Sequence, residues 1–369
     1  MSTAILIAWL LSACQGRQGG ASLDGDTLAL HYAQLLTIVD YDGYSVASIS
    51  DPWNKGRTLH EYVLVPKDAE VPDRLPKATL VRTPVSKALI YTAVHSALVI
   101  ELGAGKQIGG VCDLQYIHSP FIIDGVRQGS IRDCGDAMTP DLERIIDLDP
   151  DIVMLSPFEN SGGYGRVEEL GMPIVECADY METSALGRAE WMKFYGRLFG
   201  VGNEADRLFE KVDEDYHQMK AKAADAPEKP SVIADMKLGS VWYVPGGYST
   251  QGKLWADANA AYPYADDTHS GSLALSFEAV FDKAGESDIW VIRYNQPTPL
   301  TYRQLAADYH GNAEMKAYKQ RNIYGCNTAY TAFYEETPFH PDRLLGDFIQ
   351  ICHPQIDLGG LKYYERLSE

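Results

Sequence analysis

The sequence predicts an α/β protein of two lobes joined by one long helix, with a cleft between the lobes. Three observations carry that reading. Residues 186–224 follow a helical pattern, with Leu198, Phe199, Leu208, Phe209, Val212, Tyr216 and Met219 recurring on one side and charge on the other. The segments before and after this run alternate strands with helices, as a parallel sheet wrapped on both faces requires. A short unit also recurs: Leu142-Glu143 opens a helix leading to Asp151-Ile152-Val153-Met154, and Phe277-Glu278 opens one leading to Asp288-Ile289-Trp290-Val291. One such unit in each half fits a pseudo-symmetric pair of lobes. The alternative is an ordinary surface helix inside one large domain.

The chain begins with an apolar run, Ala4 to Ala13, too short to cross a bilayer as a helix. It closes on Leu11-Ser12-Ala13-Cys14, which resembles the lipobox of a bacterial lipoprotein signal, although the basic segment such signals carry is absent from Met1–Thr3. Residues 1–13 then read as a signal peptide, Cys14 as the lipid-modified N-terminus and 14–26 as a flexible leader. A plain secretory signal with an incidental cysteine is the other reading. No later stretch is long and apolar enough to span a membrane, so the expectation is a periplasmic protein tethered through lipid alone.

The five remaining cysteines cannot all pair internally; Cys112 with Cys134 is left open, and Cys177 ends an apolar strand as a buried thiol would. The formal charge of −19 argues against nucleic acid as a partner. It also disfavours a highly anionic ligand unless the pocket is locally basic.

Taken in order, residues 27–84 cluster β-formers between Asp-Gly, Trp-Asn-Lys-Gly and proline breaks, predicting a small antiparallel element at the edge of the first lobe. A strand at LIYT, a helix from Ala93 to Ala104 and a strand at KQIGGVC begin the α/β pattern. The helix PDLERIIDL is expected to start at Pro140 with Thr139 as its cap, followed by strands DIVMLSP and PIVEC. These complete a first lobe over 27–185. In the connector, 186–225, Gly200 and Gly202 predict a bend and Asn203 a cap for its second half. The second lobe, 226–369, carries strands at SVIADMKL, SVWYVPG, DIWVIRY and NIYGC, with a closing helix at HPDRLLGDFIQICH.

From Thr83 to Leu367 the chain resembles the periplasmic substrate-binding proteins of ABC importers for ferric siderophores, haem and cobalamin. The resemblance rests on LIYTAVHSALVIELGAGKQIGGV, TPDLERIIDLDPDIVMLS, EELGMPIVE, LSFEAVFDKAGESDIWVI and HPDRLLGDFIQICHP, in that order and spacing. It implies Rossmann-like lobes on a helical backbone, the metal-chelate receptor type, a ligand in the cleft and delivery to an inner-membrane permease dimer by a monomeric carrier. It also implies that Glu143 and Glu278, on matching motif positions, dock onto permease arginines; solvated helix-start acids are the alternative. The implied ligand is a ferric siderophore, haem or a corrinoid, with no cofactor held covalently apart from lipid.

Ligands of open α/β sheets sit beyond strand C-terminal ends. That places Thr92, His95, Asp113, Tyr116, His118 and Phe158 at the cleft from the first lobe. From the second come Trp242, Tyr243, Tyr248, Trp255, Arg293, Tyr294, Asn327 and Tyr330. Aromatic walls suit a large flat or greasy chelate. For several of these a duller role stands beside the pocket: Trp242 and Trp255 as core, Arg293 paired with an internal carboxylate, His95 satisfying backbone groups. The scattered histidines lack the spacing of a bare-ion site. GGYGRVEELG departs from a dinucleotide loop at Glu168, and no nucleophile-elbow or P-loop motif is present, which argues against an enzyme. A lipid-anchored enzyme, or a scavenging lipoprotein working without a permease, is the alternative function.

Overall fold

The computed structural model describes residues 25–159 and 163–369. The signal segment and Cys14 lie outside the described residues. The first sheet comprises β1 (Asp26–Thr27), β2 (Leu36–Tyr41), β3 (Tyr44–Ser50), β4 (Thr58–Pro66) and β5 (Thr79–Thr83), antiparallel except that β5 runs parallel to β4. Alternation along these strands sends Ile38, Ala47, Ile49, Tyr62 and Leu64 into the main core. The opposite face closes over Tyr44, Val63 and Val65.

The first lobe follows with β6 (Ala88–Ile90), α1 (Ala93–Glu101), β7 (Ile108–Val111), α2 (Pro120–Gln128), β8 (Arg132–Asp133), a hairpin of β9 (Gly135–Asp136) and β10 (Thr139–Pro140), α3 (Leu142–Leu148), β11 (Ile152–Leu155) and β12 (Ile174–Glu176). Its parallel sheet runs β12-β11-β6-β7-β8. Strands β6, β11 and β12 are buried throughout, the consequence of helices on both faces. Helix α3 starts later than expected. Thr139-Pro140 pairs with Gly135-Asp136 as a hairpin, and the cap is Asp141, whose carboxylate accepts from the Arg144 backbone N–H at 3.1 Å. Cys112 and Cys134 are both buried free thiols, as are Cys177, Cys326 and Cys352.

The connector comprises α4 (Ala185–Glu190), α5 (Met192–Phe199) and the long α6 (Gly202–Ala224). The bend falls at Gly200, whose φ of +72° ends α5 in a left-handed turn; a Cβ there would lie 2.8 Å from Pro84 Cβ. Asn203 lies within α6, and the cap position is Val201, without a side-chain bond. Ala205, Phe209, Val212 and Tyr216 form the buried stripe of α6.

The second lobe holds β13 (Val232–Ala234), a small antiparallel sheet of β14 (Lys237–Leu238), β15 (Val241–Pro245) and, after α7 (Thr250–Asp257), β16 (Ser272–Leu275). Then come α8 (Phe277–Ala284), β17 (Ile289–Tyr294), α9 (Tyr302–Asp308), α10 (Lys316–Lys319), β18 (Ile323–Asn327), α11 (Phe333–Glu336), α12 (Pro341–Cys352) and β19 (Glu365–Arg366). The main sheet runs β13-β17-β18-β19, parallel apart from β19. One apolar core runs from the first sheet through α5 and α6 into this lobe, so the lobes are fused along their backbone side and open opposite it.

A strap before β2 crosses the connector, held by two buried carboxylates. Glu190 accepts from the backbone N–H groups of His31, Tyr32 and Ala33 at 2.8–2.9 Å, and Glu182 from those of Gln34 and Leu35 at 2.9–3.1 Å. Trp191 Nε1 also donates to Glu182 at 3.0 Å. Glu190→Ala removes the shared acceptor of three part-buried donors and is expected to cost about 3 kcal/mol, read from urea unfolding, with Glu190→Gln intermediate. A cost below about 1 kcal/mol would show that the strap is held by packing instead.

Candidate functional site: an interlobe cleft

Strand C-terminal ends of both main sheets face the cleft. Two cavities lie there. One, about 470 Å³, spans the lobes between Ala93, Gln115, Tyr116 and His118 on one side and Asn295, Thr328, Ala329, Thr331, Tyr334 and Glu335 on the other. The other, about 410 Å³, belongs to the first lobe and is lined by Tyr91, Thr92, Ala137, Met138, Pro140, Leu155, Ser156, Phe158, Tyr164 and Val167 with Gly163 and Gly165. Neighbouring residues Thr92 and Ala93 at the start of α1 line one cavity and the other, so the two meet at that helix end. Rings stand exposed at or next to the lining of this opening: Tyr116, Phe158, Tyr330 and Tyr334.

Polar contacts fix the gap. The His118 backbone N–H donates to Glu335 Oε1 at 2.5 Å, its Nδ1 lies 2.9 Å from the same oxygen, and its Nε2 lies 3.1 Å from the Ala329 carbonyl oxygen. From α7, Lys253 Nζ donates to the Thr183 carbonyl and lies 4.9 Å from the centre of the Tyr248 ring; burial lowers its pKa. Behind the cleft, Glu101 of α1 meets His340 at 2.7 Å and Arg343 at 3.3 Å. Burial works against the Glu101 charge, but these two partners outweigh it and hold the carboxyl below its usual range.

Beneath α1 lies a buried ionic cluster. His95 Nε2 is 2.7 Å from Asp179 Oδ1, Tyr195 donates to that oxygen at 2.7 Å, and Arg188 Nε donates to Oδ2 at 3.0 Å. Burial opposes both charges. Even so, the Cys177 sulfur and Asp179 hold His95 up to about 10, while His95 and Arg188 hold Asp179 down at about 2. Thr92 Oγ1 lies against His95 Nδ1 and accepts from the His95 backbone N–H as the cap of α1. The cluster ties α1 to the segment after β12.

Several residues read from the sequence as cleft contacts are placed elsewhere. Trp242 stacks on Trp290 at 5.4 Å and donates from Nε1 to the Ala234 carbonyl, and Trp255 stacks on Phe348 at 3.6 Å; both are fully buried. Each begins or follows a turn in sequence, but the inward register of its element takes it into the core. Tyr294 is buried, its hydroxyl accepting from the Leu300 N–H at 3.0 Å. Asn327 shapes its own loop through bonds to Gln296 and Ala329. His95 is buried in the ionic cluster. Asp113 adopts φ +53° and accepts from the Ala137 N–H at 3.0 Å, bracing the Met138 loop. Arg293, next to last in β17, donates from Nε and Nη2 to Asp235, at 2.9 and 2.6 Å; burial opposes its charge and Asp235 more than restores it. Tyr243 is exposed on β15 and lines neither cavity. Thr92, Tyr116, His118 and Phe158 are the members of the set that line the cavities, with Tyr330 exposed between the lining residues Ala329 and Thr331; Tyr248 is exposed on the loop before α7 and lines neither cavity. Met138 and Glu335 are cavity residues the sequence did not single out. Met138 lies in an irregular Gly/Asp-rich loop, and Glu335 meets His118 only through the fold.

Among the described residues, no cluster of three or more His, Cys, Asp or Glu side chains is arranged to hold a metal ion. No helix among them is long and apolar enough to cross a membrane.

A profile of the periplasmic binding protein family matches residues 114–330, more than half of the chain and both walls of the cleft. The chain belongs to the periplasmic binding protein family. Membership makes it a binding protein of transport systems, not an enzyme. An uncharacterised lipoprotein of Methanocaldococcus jannaschii is 24% identical over 353 residues, covering 89% of this chain and 83% of the relative. A periplasmic haem-binding protein from Pseudomonas aeruginosa superposes with a TM-score of 0.59 at 16% identity, over 77% of this chain and 99% of its own. An ABC-type Fe3+-hydroxamate transport protein from Saccharomonospora viridis gives 0.56 at 16% identity, over 73% and 93%. At these identities the structural likeness shows the shared fold: two α/β lobes on a helical backbone.

Proposed function

We propose that this periplasmic binding protein captures a metal chelate in the interlobe cleft and hands it to an inner-membrane ABC permease dimer. The chelate is a ferric siderophore, haem or a corrinoid. The protein acts as a monomer, held at the membrane by lipid on Cys14 and by nothing else. The observation that carries this reading is the pair of adjoining cavities at the strand C-terminal ends, rimmed by exposed rings from both lobes. Ligand contacts come from Thr92, Tyr116, His118, Phe158 and Tyr330, with the lobes divided at 27–185 and 226–369 around the 186–225 connector. The haem-binding protein and the Fe3+-hydroxamate transport protein that share this fold lend support. Absorbance of protein purified from its own cells tests the ligand: a Soret, corrin or ligand-to-iron charge-transfer band is expected, and a colourless protein that takes up none of these chelates would refute it.

Delivery rests on Glu143 and Glu278. Each is exposed in the first turn of the helix that leads into a central strand, α3 into β11 and α8 into β17. A helix returning to a parallel strand starts at that sheet's C-terminal rim, so both carboxylates lie on the cleft side, one per lobe. Reversing both, Glu143→Arg with Glu278→Arg, is expected to leave chelate binding within twofold and cut uptake in cells at least tenfold. Undiminished uptake would remove the docking role.

A further inference from the structure

We infer that the cleft takes a chelate whose enclosed surface carries no net negative charge: a neutral or cationic complex, such as a ferric tris-hydroxamate. The inference rests on the carrier reading above and narrows its ligand. Neither cavity is lined by an arginine or a lysine among the described residues. Their ionisable lining, tyrosines aside, is His118 with Glu335, and these pair with each other at 2.9 Å. Two second-lobe arginines on this side are neutralised by carboxylates, Arg293 by Asp235 and Arg343, beyond His118 and Glu335, by Glu101 and Glu336; Lys253 lies over the Tyr248 ring and lines neither cavity.

An anion entering this space would lose water and find no cation among the described lining residues to replace it, a penalty of several kcal/mol per buried charge. The chain's net charge of −19 adds long-range repulsion. What the walls offer instead are ring faces and polar atoms able to share uncharged hydrogen bonds: Tyr116, Phe158, Tyr334, Asn295 and Thr328. Three hydroxamates neutralise ferric iron, whereas three catecholates leave a charge of −3 and haem carries two carboxylates. The first matches these walls; the others do not.

Fluorescence titration of the full-length protein with three probes, ferrichrome, a ferric tris-catecholate and haem, tests the inference. Ferrichrome is expected to bind at least 100-fold more tightly than either anionic probe. Met138→Arg, which sets a cation at the cavity edge, is expected to narrow that preference at least tenfold. An anionic probe binding as tightly as ferrichrome, or tighter, would overturn the charge inference and leave the carrier reading standing. Binding of none of the three, nor of cyanocobalamin as an uncharged corrinoid, would overturn both.

Discussion

Replacing Asp179 with alanine is expected to cost about 3–5 kcal/mol of stability, because the variant leaves His95 as a buried cation, and the part-exposed Arg188, without their anion. Asp179 is fully buried, and Tyr195 loses its acceptor in the same step. Asp179→Asn keeps the shape and one acceptor, so its cost should be smaller. The cluster also sets a pH signature. Asp179 is held down at about 2, so its contribution is present above the unfolded carboxyl pKa of about 4 and is lost as pH falls toward 2. His95 is held up to about 10, so its contribution is fully present below an unfolded pKa of about 6.5 and is lost as pH rises through 10. The stability difference between the wild type and Asp179→Asn should therefore be largest between about pH 4 and 6.5 and shrink on both sides. Urea unfolding across that range measures it. A difference that stays flat from pH 5 to 9 would mean that His95 is neutral in the folded protein.

Removing the facing rings, Tyr116→Ala with Tyr334→Ala, is expected to weaken chelate binding 100- to 1,000-fold while leaving stability unchanged within about 0.5 kcal/mol. The two side chains stand on opposite lobes across the larger cavity, 63% and 55% exposed. A chelate covering about 100 Å² of each ring gains roughly 2.5 kcal/mol per ring at 25 cal/mol per Å². Losses near 3–4 kcal/mol for the pair follow once the gap partly readjusts. Tyr243→Ala removes an exposed ring that lines neither cavity and should change the dissociation constant less than twofold. Equal effects from Tyr243 and the cavity pair would place the ligand outside the cleft.

The architecture was legible because it rests on periodic, local signals. The α6 stripe, the two Leu/Phe-Glu helix starts and the continuous apolar strands each need only a few neighbouring residues to be read. Caps were harder, since Thr139 and Asp141 are both good cap residues and the hairpin to Gly135-Asp136 decides between them. The cleft was legible as a location and only partly as a set of residues. Strand ends point to Thr92, Tyr116 and Phe158, but one register step sends Trp242 inward and leaves Tyr243 outside. Arg293 could be assigned only once Asp235, far away in sequence, was seen to pair with its Nε and Nη2. Contacts such as His118 with Glu335 exist solely because the lobes meet, and no local pattern encodes them.

Anomalous diffraction at the iron edge, from crystals grown with ferrichrome, locates the bound metal directly. A single strong peak between Tyr116 and Tyr334, enclosed by both lobes, is the result expected. A peak on the outer surface of either lobe, with the space between those rings filled only by solvent, would contradict it.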